Sequence, residues 1–213
     1  MVFALVGCSH ATRPDHGTFL TDYAQLRQTR DAQGHVYFAH QITAQPANPR
    51  ATYAVSTEYF PAGTHFNGLS AQAQASLLAY LDHVIREQLQ QRSMLASDGA
   101  QADIRLRVAI TSVVAADPGL RPWDFLPIHL LLEPLKDSVL GAPKVASATL
   151  EVQAIDAHTG TVLNESARKD DGKSIGRQKN GVSVVTFGSL HKVLDQWATS
   201  VVSEQDPTRS RKK

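Results

Sequence analysis

The sequence predicts an α+β domain of two layers, in which a mainly antiparallel sheet carries two amphipathic helices on one face. Residues 104–111 and 144–155 alternate apolar and polar side chains, which is typical of strands with one buried and one wet face. Residues 70–95 and 184–203 repeat apolar side chains at steps of three and four, as amphipathic helices do. Such strands and helices bury their apolar faces against one another, which favours the α+β class.

The amino-terminal part of the domain predicts a turn and two strands. Residues 18–26 form a short amphipathic segment that can dock on a core. Residues 35–42 and 51–60 are rich in aromatic and β-branched side chains, and prolines follow both segments. We therefore expect two strands here.

The first helix has clear signals at both ends. Ser70 can cap its start, and Asp98-Gly99 is typical of a helix end. Its interior holds one apolar stripe between polar residues, formed by Leu77, Leu78, Leu81, Val84, Ile85 and Leu89. The segment therefore predicts a helix with one face on the core.

The carboxy-terminal part predicts a hairpin, a mobile loop and the second helix. Residues 156–160 (Asp-Ala-His-Thr-Gly) are typical of a hairpin turn in which Gly160 supplies a positive φ. The polar residues 169–181 predict a mobile loop. On the second helix Trp197 follows the apolar spacing, and we interpret it as a core residue rather than a ligand contact.

One proline-rich connection is longer than a strand-to-strand link requires. Residues 118–143 hold five of the ten prolines and a dense apolar run. Loops of this length are often functional. The segment either covers one end of the core or forms a flap that binds a partner or a membrane, and the flap residues would be Trp123, Phe125, Leu130 and Leu131.

Charge and composition exclude several classes of protein. The chain has 213 residues and a formal charge of +1, but four basic residues lie in the last five positions and leave 17 basic against 20 acidic residues in the body. This balance is not that of a nucleic-acid-binding domain. One cysteine excludes an internal disulfide framework. We interpret residues 205–213 as a basic disordered tail.

The first residues indicate a bacterial lipoprotein. Residues 1–7 are apolar and end in Gly7, directly before Cys8, the only thiol. This pattern resembles a lipobox, so we read residues 1–7 as a truncated lipoprotein signal and Cys8 as the acylated residue. The alternative is that Cys8 is an ordinary residue of a cytosolic strand, in a cytosolic interaction module.

The residues after the cysteine support the lipoprotein interpretation. Residues 8–17 are polar and contain Pro and Gly, as expected of a tether to a single domain at 18–204. In Gram-negative lipoproteins, an Asp directly after the cysteine resembles an inner-membrane retention signal. Position 9 is Ser and not Asp, which implies transfer to the outer membrane.

No local motif predicts catalysis, a metal or a cofactor. The nine histidines form no His-Glu-x-x-His, and there is no Gly-x-Ser-x-Gly. Residues 171–174 (Asp-Gly-Lys-Ser) resemble the end of a phosphate loop, but Ala167 stands where that motif needs Gly. Arg105 and Arg107 can pair with Glu151 if their strands adjoin.

Several motifs together resemble a known family, namely uncharacterised lipoproteins of Gram-negative bacteria in domain-of-unknown-function family 3313. The likeness covers about residues 17–203. It rests on Phe19-Leu20-x-Asp22-Tyr23, Ile110-Thr111, Leu150-Glu151, Asp156-x-x-Thr159-Gly160 and Trp197-Ala198. The resemblance implies an envelope lipoprotein and supplies no catalytic residues.

The sequence thus predicts an outer-membrane-anchored lipoprotein that faces the periplasm. We expect a non-enzymatic binding or accessory subunit of an envelope assembly, with the membrane and an envelope protein as partners. The alternative is a soluble periplasmic hydrolase whose active-site residues are dispersed along the chain.

Overall fold

The computed structural model describes residues 19–31, 33–43, 50–59, 69–116, 144–175 and 185–205. The two helices of this part of the chain are α1 (Ala71–Gln91) and α2 (Phe187–Glu204). Its strands are β1 (Arg27–Arg30), β2 (Val36–Gln41), β3 (Tyr53–Tyr59), β4 (Ile104–Ala116), β5 (Lys144–Asp156) and β6 (Val162–Ile175). The expected signal, tether and connection at residues 1–7, 8–17 and 118–143 lie outside the described residues, as does nearly all of the expected tail.

One sheet of six strands has the order β1-β2-β6-β5-β4-β3. All neighbours pair antiparallel except β3 and β4, which are parallel. The parallel pair follows from α1, which lies between β3 and β4 in the chain and provides the crossover that parallel strands need. The predicted α+β class with a mainly antiparallel sheet is confirmed.

Both helices pack on the same face of the sheet and enclose one apolar core. Apolar side chains from α1, α2 and strands β3 to β6 form this core. Its largest buried members include Trp197, Tyr53, Leu81, Ile85, Leu106, Leu150 and Leu194. Burial of side chains of this size, each worth about 1.5–3 kcal/mol, is the main contribution to stability. Trp197 is 1% exposed, so its assignment to the core is confirmed.

Helix α1 begins as predicted and ends earlier. The Ser70 side chain accepts a hydrogen bond from the Ala73 amide, while the helix stops at Gln91 and Ser93 has a φ of 56°. The predicted extent to about Leu95, with Asp98-Gly99 marking the end, is too long because the chain turns back beside β3. There the Tyr53 amide donates to the Met94 carbonyl at 2.8 Å. Asp98 instead caps a 3-10 turn.

The polar face of β5 is buried, which corrects the expectation of a half-wet strand. Ser147, Thr149, Glu151 and Gln153 are each at most 3% exposed. They point away from the helices, and Glu151 bonds to Tyr23 of a second and smaller apolar cluster to which the amino-terminal residues contribute. On β5, therefore, the alternation of polar and apolar side chains belongs to a strand whose two faces are both buried.

Strand β6 replaces most of the predicted mobile loop. It continues to Ile175 and pairs with β5 as far as Lys144. The hairpin that precedes it is confirmed, since Gly160 has a φ of 73° and the Asp156 side chain accepts two backbone amides of the turn. The longer strand brings Gly172 against the first turn of α2.

We predict that Gly172→Ala destabilises the fold. A Cβ at this position would lie 2.1 Å from the Ser189 carbonyl oxygen and 3.1 Å from its carbon, so α2 has to move away from β6. Overpacking of this kind costs about 1–3 kcal/mol of unfolding free energy, which urea denaturation measures. Gly99→Ala is the matched control, because its Cβ would meet only Ala54 at 3.7 Å. Equal stability of the two variants would contradict the close approach.

Candidate functional site

The amino-terminal residues of the described structure form a clasp on the sheet face opposite the helices. The clasp is defined as residues 19–26. It contains a 3-10 turn, Tyr23–Gln25, which the Asp22 side chain caps by accepting the Ala24 amide. Phe19, Leu20, Tyr23 and Leu26 are at most 9% exposed and pack on Ala109, Ala167 and Phe38. The predicted amphipathic segment thus docks on the second face of the sheet.

The clasp covers a buried carboxyl group at the centre of the sheet. Glu151 is fully buried, and its carboxyl oxygens accept hydrogen bonds from Tyr23 Oη at 2.6 Å and Thr111 Oγ1 at 3.2 Å. Burial raises the pKa of Glu151 to about 7 against the hydrogen bonds from Tyr23 and Thr111, while nearby Glu165 raises it further. Burial and the adjacent Glu151 also raise the pKa of Tyr23. The phenol therefore acts as a donor to this carboxyl.

A second buried carboxyl holds the backbone of the clasp. Glu165 is fully buried and accepts the Thr21 amide at 2.7 Å, the Thr21 hydroxyl at 2.9 Å and the Asp22 amide at 3.4 Å. Gln153 Nε2 donates to the same carboxyl at 2.7 Å. Together, Glu151 and Glu165 give the clasp polar partners that fix its position over the sheet.

Arg107 forms one border of the clasp. Its guanidinium donates to Gln153 at 2.9 Å and to Glu58 at 2.8 Å, and it lies 4.9 Å from the centre of the Phe19 ring. The expected pairing of Arg107 with Glu151 is wrong, although β4 and β5 do adjoin. In the observed register Arg107 faces Gln153, whereas Glu151 faces Ala109.

A second polar cluster fastens α2 to the sheet. Arg168 donates to Glu204 at 2.5 Å and lies over the ring of Tyr37, while Trp197 Nε1 donates to Asp170 at 2.6 Å. Burial raises the pKa values of Asp170 and Glu204. A recess beside this cluster has room for about one water molecule, which is too little for an organic ligand.

The comparisons with known proteins identify the family. The sequence matches the family described as "Protein of unknown function (DUF3313)" over residues 15–201. The chain belongs to this family. It is also 23% identical to the uncharacterized lipoprotein YdcL of Escherichia coli K12 over 204 residues, which are 93% of this chain and 89% of YdcL. The predicted resemblance is confirmed.

Two solved structures align with this chain at low identity. Protein XCC0632 of Xanthomonas campestris aligns with a TM-score of 0.47 and 12% identity, over 80% of this chain and 93% of that one. The PelC dodecamer of Paraburkholderia phytofirmans aligns with a TM-score of 0.42 and 13% identity, over 80% and 97% of the two chains.

The structure explains one of the motifs that indicated the family. Of the sequence Phe19-Leu20-x-Asp22-Tyr23, the phenylalanine and leucine pack on the sheet, the aspartate caps the turn and the tyrosine bonds to Glu151. The Leu150-Glu151 motif supplies the carboxyl that receives this tyrosine. These two motifs of the chain are therefore halves of one contact.

The site residues predicted from the sequence all lie outside the described part of the chain. They are Cys8, the expected lipidation site, and Trp123, Phe125, Leu130 and Leu131, the expected partner-binding residues. Among the residues that the structure describes, no three His, Cys, Asp or Glu side chains are grouped as metal ligands. Within the same ranges, no helix is long and apolar enough to cross a bilayer.

The buried carboxyls were missed because nothing near them in the sequence reports their cover. Glu151 occupies a position that alternation on β5 assigns to solvent, and the clasp that covers Glu151 and Glu165 comes from more than 100 residues earlier in the chain. One usable signal was present, since Glu151 belongs to a motif on which the family resemblance rests.

We predict that Tyr23→Phe destabilises the protein. The change leaves Glu151 buried with one of its two hydroxyl donors gone, which costs about 1–3 kcal/mol of unfolding free energy. Tyr80→Phe is the matched control, because it removes a phenol that donates to Asp195 at 2.7 Å in a half-exposed place. Water can replace that bond, so the control loses no more than about 0.5 kcal/mol by thermal or urea unfolding.

Proposed function

We propose that this member of the DUF3313 family is a lipoprotein held in the outer membrane by acyl chains on Cys8. Its domain faces the periplasm and acts as a non-enzymatic binding or accessory subunit of an envelope assembly. The similarity to a protein named as a lipoprotein supports the membrane attachment. The apolar residues before Cys8 and the Ser at position 9 support the anchor and the outer membrane.

The clasp is the observation that best supports an anchored domain. Phe19 follows Cys8 by eleven residues, so a fully extended chain between them spans at most about 40 Å. A pull on this tether acts on the clasp, which is bonded to the two central strands β5 and β6 through Glu151 and Glu165. The pulling force therefore acts on the central strands of the sheet before it acts on the edge strand β1.

The chemistry of the described part suits binding better than hydrolysis. Its two fully buried carboxyls, Glu151 and Glu165, are bonded to the clasp and closed to solvent. In this arrangement the two carboxyls hold the clasp on the sheet. We therefore assign the accessory role to surfaces of the domain, with Trp123, Phe125, Leu130 and Leu131 as the proposed contact with an envelope protein.

We predict that Cys8→Ser abolishes lipid attachment. With the substitution made in the chromosomal copy, the native product no longer takes up labelled palmitate and leaves the membrane fraction, because only the thiol can carry the diacylglyceryl group. Mass spectrometry of the amino terminus checks the same point in the unaltered protein. A bare Cys8 with residues still ahead of it would rule out the anchor.

Ser9→Asp is the matched control for this experiment. This variant keeps Cys8 and still takes up palmitate, but it remains with the inner membrane on a sucrose gradient. Unaltered outer-membrane sorting of Ser9→Asp would contradict the role given to position 9, while leaving the lipid anchor in place.

We predict that the proline-rich connection contacts an envelope protein. A photo-crosslinking amino acid at Phe125 or Leu131 gives an adduct of defined mass in living cells, whereas the same probe at the exposed Gln72 on α1 does not. Identical adducts from all three positions, or none from Phe125 and Leu131, would contradict the proposed surface.

A further inference from the structure

The clasp has the features of a segment that can detach by itself. It is short, it lies at the start of the described domain, and the chain leaves it directly into the four-residue edge strand β1. Its polar fastening consists of hydrogen bonds to two carboxyls, Glu151 and Glu165. Its apolar fastening consists of four side chains, each at most 9% exposed, that pack in a small cluster separate from the main core. A short segment on such a cluster opens at lower free energy than the core of the same protein.

We propose that the clasp detaches reversibly from the sheet as the pH rises, and that its detachment lengthens the tether between the membrane and the domain. The detachment rests on the contacts of the clasp with the sheet, and its direction with pH rests on the burial of Glu151 beneath it. The lengthening of the tether rests on the proposed lipid anchor.

The direction of the pH effect follows from the burial of Glu151. Burial beneath the docked clasp raises the pKa of this carboxyl from 4.5 to about 7, although the Tyr23 hydrogen bond lowers it, and detachment returns the group to water. The docked state therefore binds a proton more firmly than the detached state. Docking is strongest below pH 4.5 and weakens as the pH rises to about 7, where Glu151 is ionised in both states.

Around Glu151, burial and Glu165 favour this direction, while the hydrogen bonds from Tyr23 and Thr111 oppose it without cancelling it. Tyr23 from the clasp donates to it and Thr111 from β4 is its uncharged neighbour, while Glu165 on β6 raises its pKa further. Arg107 on β4 is engaged with Gln153 and Glu58. On the next strand, His40 of β2 is the register partner of Glu165. Among the described residues, the contacts of Glu151 include no cation that would hold its charge in the docked state.

Detachment of the clasp increases the distance that the domain can move away from the membrane by a defined amount. With the clasp docked, the free chain between Cys8 and Phe19 extends to about 40 Å at most. With the clasp detached, the free chain runs to Arg27 and extends to about 65 Å. The clasp thus sets how far from the membrane the domain can act.

Hydrogen exchange of the full unlipidated chain tests the detachment. Protection factors of the Leu20, Thr21 and Asp22 amides, which divide out the intrinsic pH dependence of exchange, report clasp opening. We expect the opening constant to rise by up to roughly tenfold per pH unit from about pH 5 to about pH 7 and then to level off. Core amides of β4 and β5 stay protected throughout.

Glu151→Gln removes this pH dependence, because a neutral amide can still accept the Tyr23 hydroxyl. Glu58→Gln is the matched control, since Glu58 bonds to Arg107 at the border of the clasp, and it keeps the slope. A flat profile in the unaltered protein overturns the proposal, and so does an unchanged slope in Glu151→Gln.

Coupling through Cys8, the only thiol, to a maleimide lipid in a supported bilayer tests the reach without any cellular acylation. Neutron reflectometry should place the domain farther from the bilayer at about pH 8 than at about pH 5, and Glu151→Gln should stay at the shorter distance. Equal distances despite clasp opening overturn the lengthening. Absence of acyl chains on the native protein overturns the anchor and leaves the exchange result standing.

Discussion

The structure depends on how the polar face of its sheet is closed. An antiparallel sheet with helices on one side leaves the other side to water or to a cover, and here two carboxyls on that side are fully buried. An isolated buried carboxyl is costly, so each of the two needs donors. Tyr23, Thr111, Gln153 and the backbone of Thr21 and Asp22 supply them. The clasp and the central strands therefore stabilise each other.

This mutual dependence explains which features the sequence could predict. Helix α2, the hairpin at Gly160 and the burial of Trp197 follow from patterns within a few residues, and the structure confirms them. The α+β class followed from the same local patterns. The family resemblance followed from short motifs, of which two meet in space as Tyr23 and Glu151.

What escaped prediction depends on contacts between distant parts of the chain. The polar row on β5 alternates as a wet strand does, yet it is buried, and the clasp covers Glu151 within it. Likewise, residues 169–175 are polar enough for a loop, but pairing with β5 makes them a strand. The end of α1 was misplaced because the chain after Gln91 is drawn into pairing beside Tyr53. The spacing of apolar residues within a single segment does not indicate which distant segment will pack or pair with it.

The sequence separation between the clasp and its partners on β5 and β6 also determines when the clasp can dock during synthesis of the chain. Thr21 and Glu165 are separated by 144 residues, and Tyr23 and Glu151 by 128. A chain that emerges amino terminus first cannot seat its opening segment until β5 and β6 have arrived, and such non-local closures form late. If Cys8 is the acylation site, the enzymes that process it can act before the clasp is seated, so that maturation of this end can be complete before the domain has closed over the clasp.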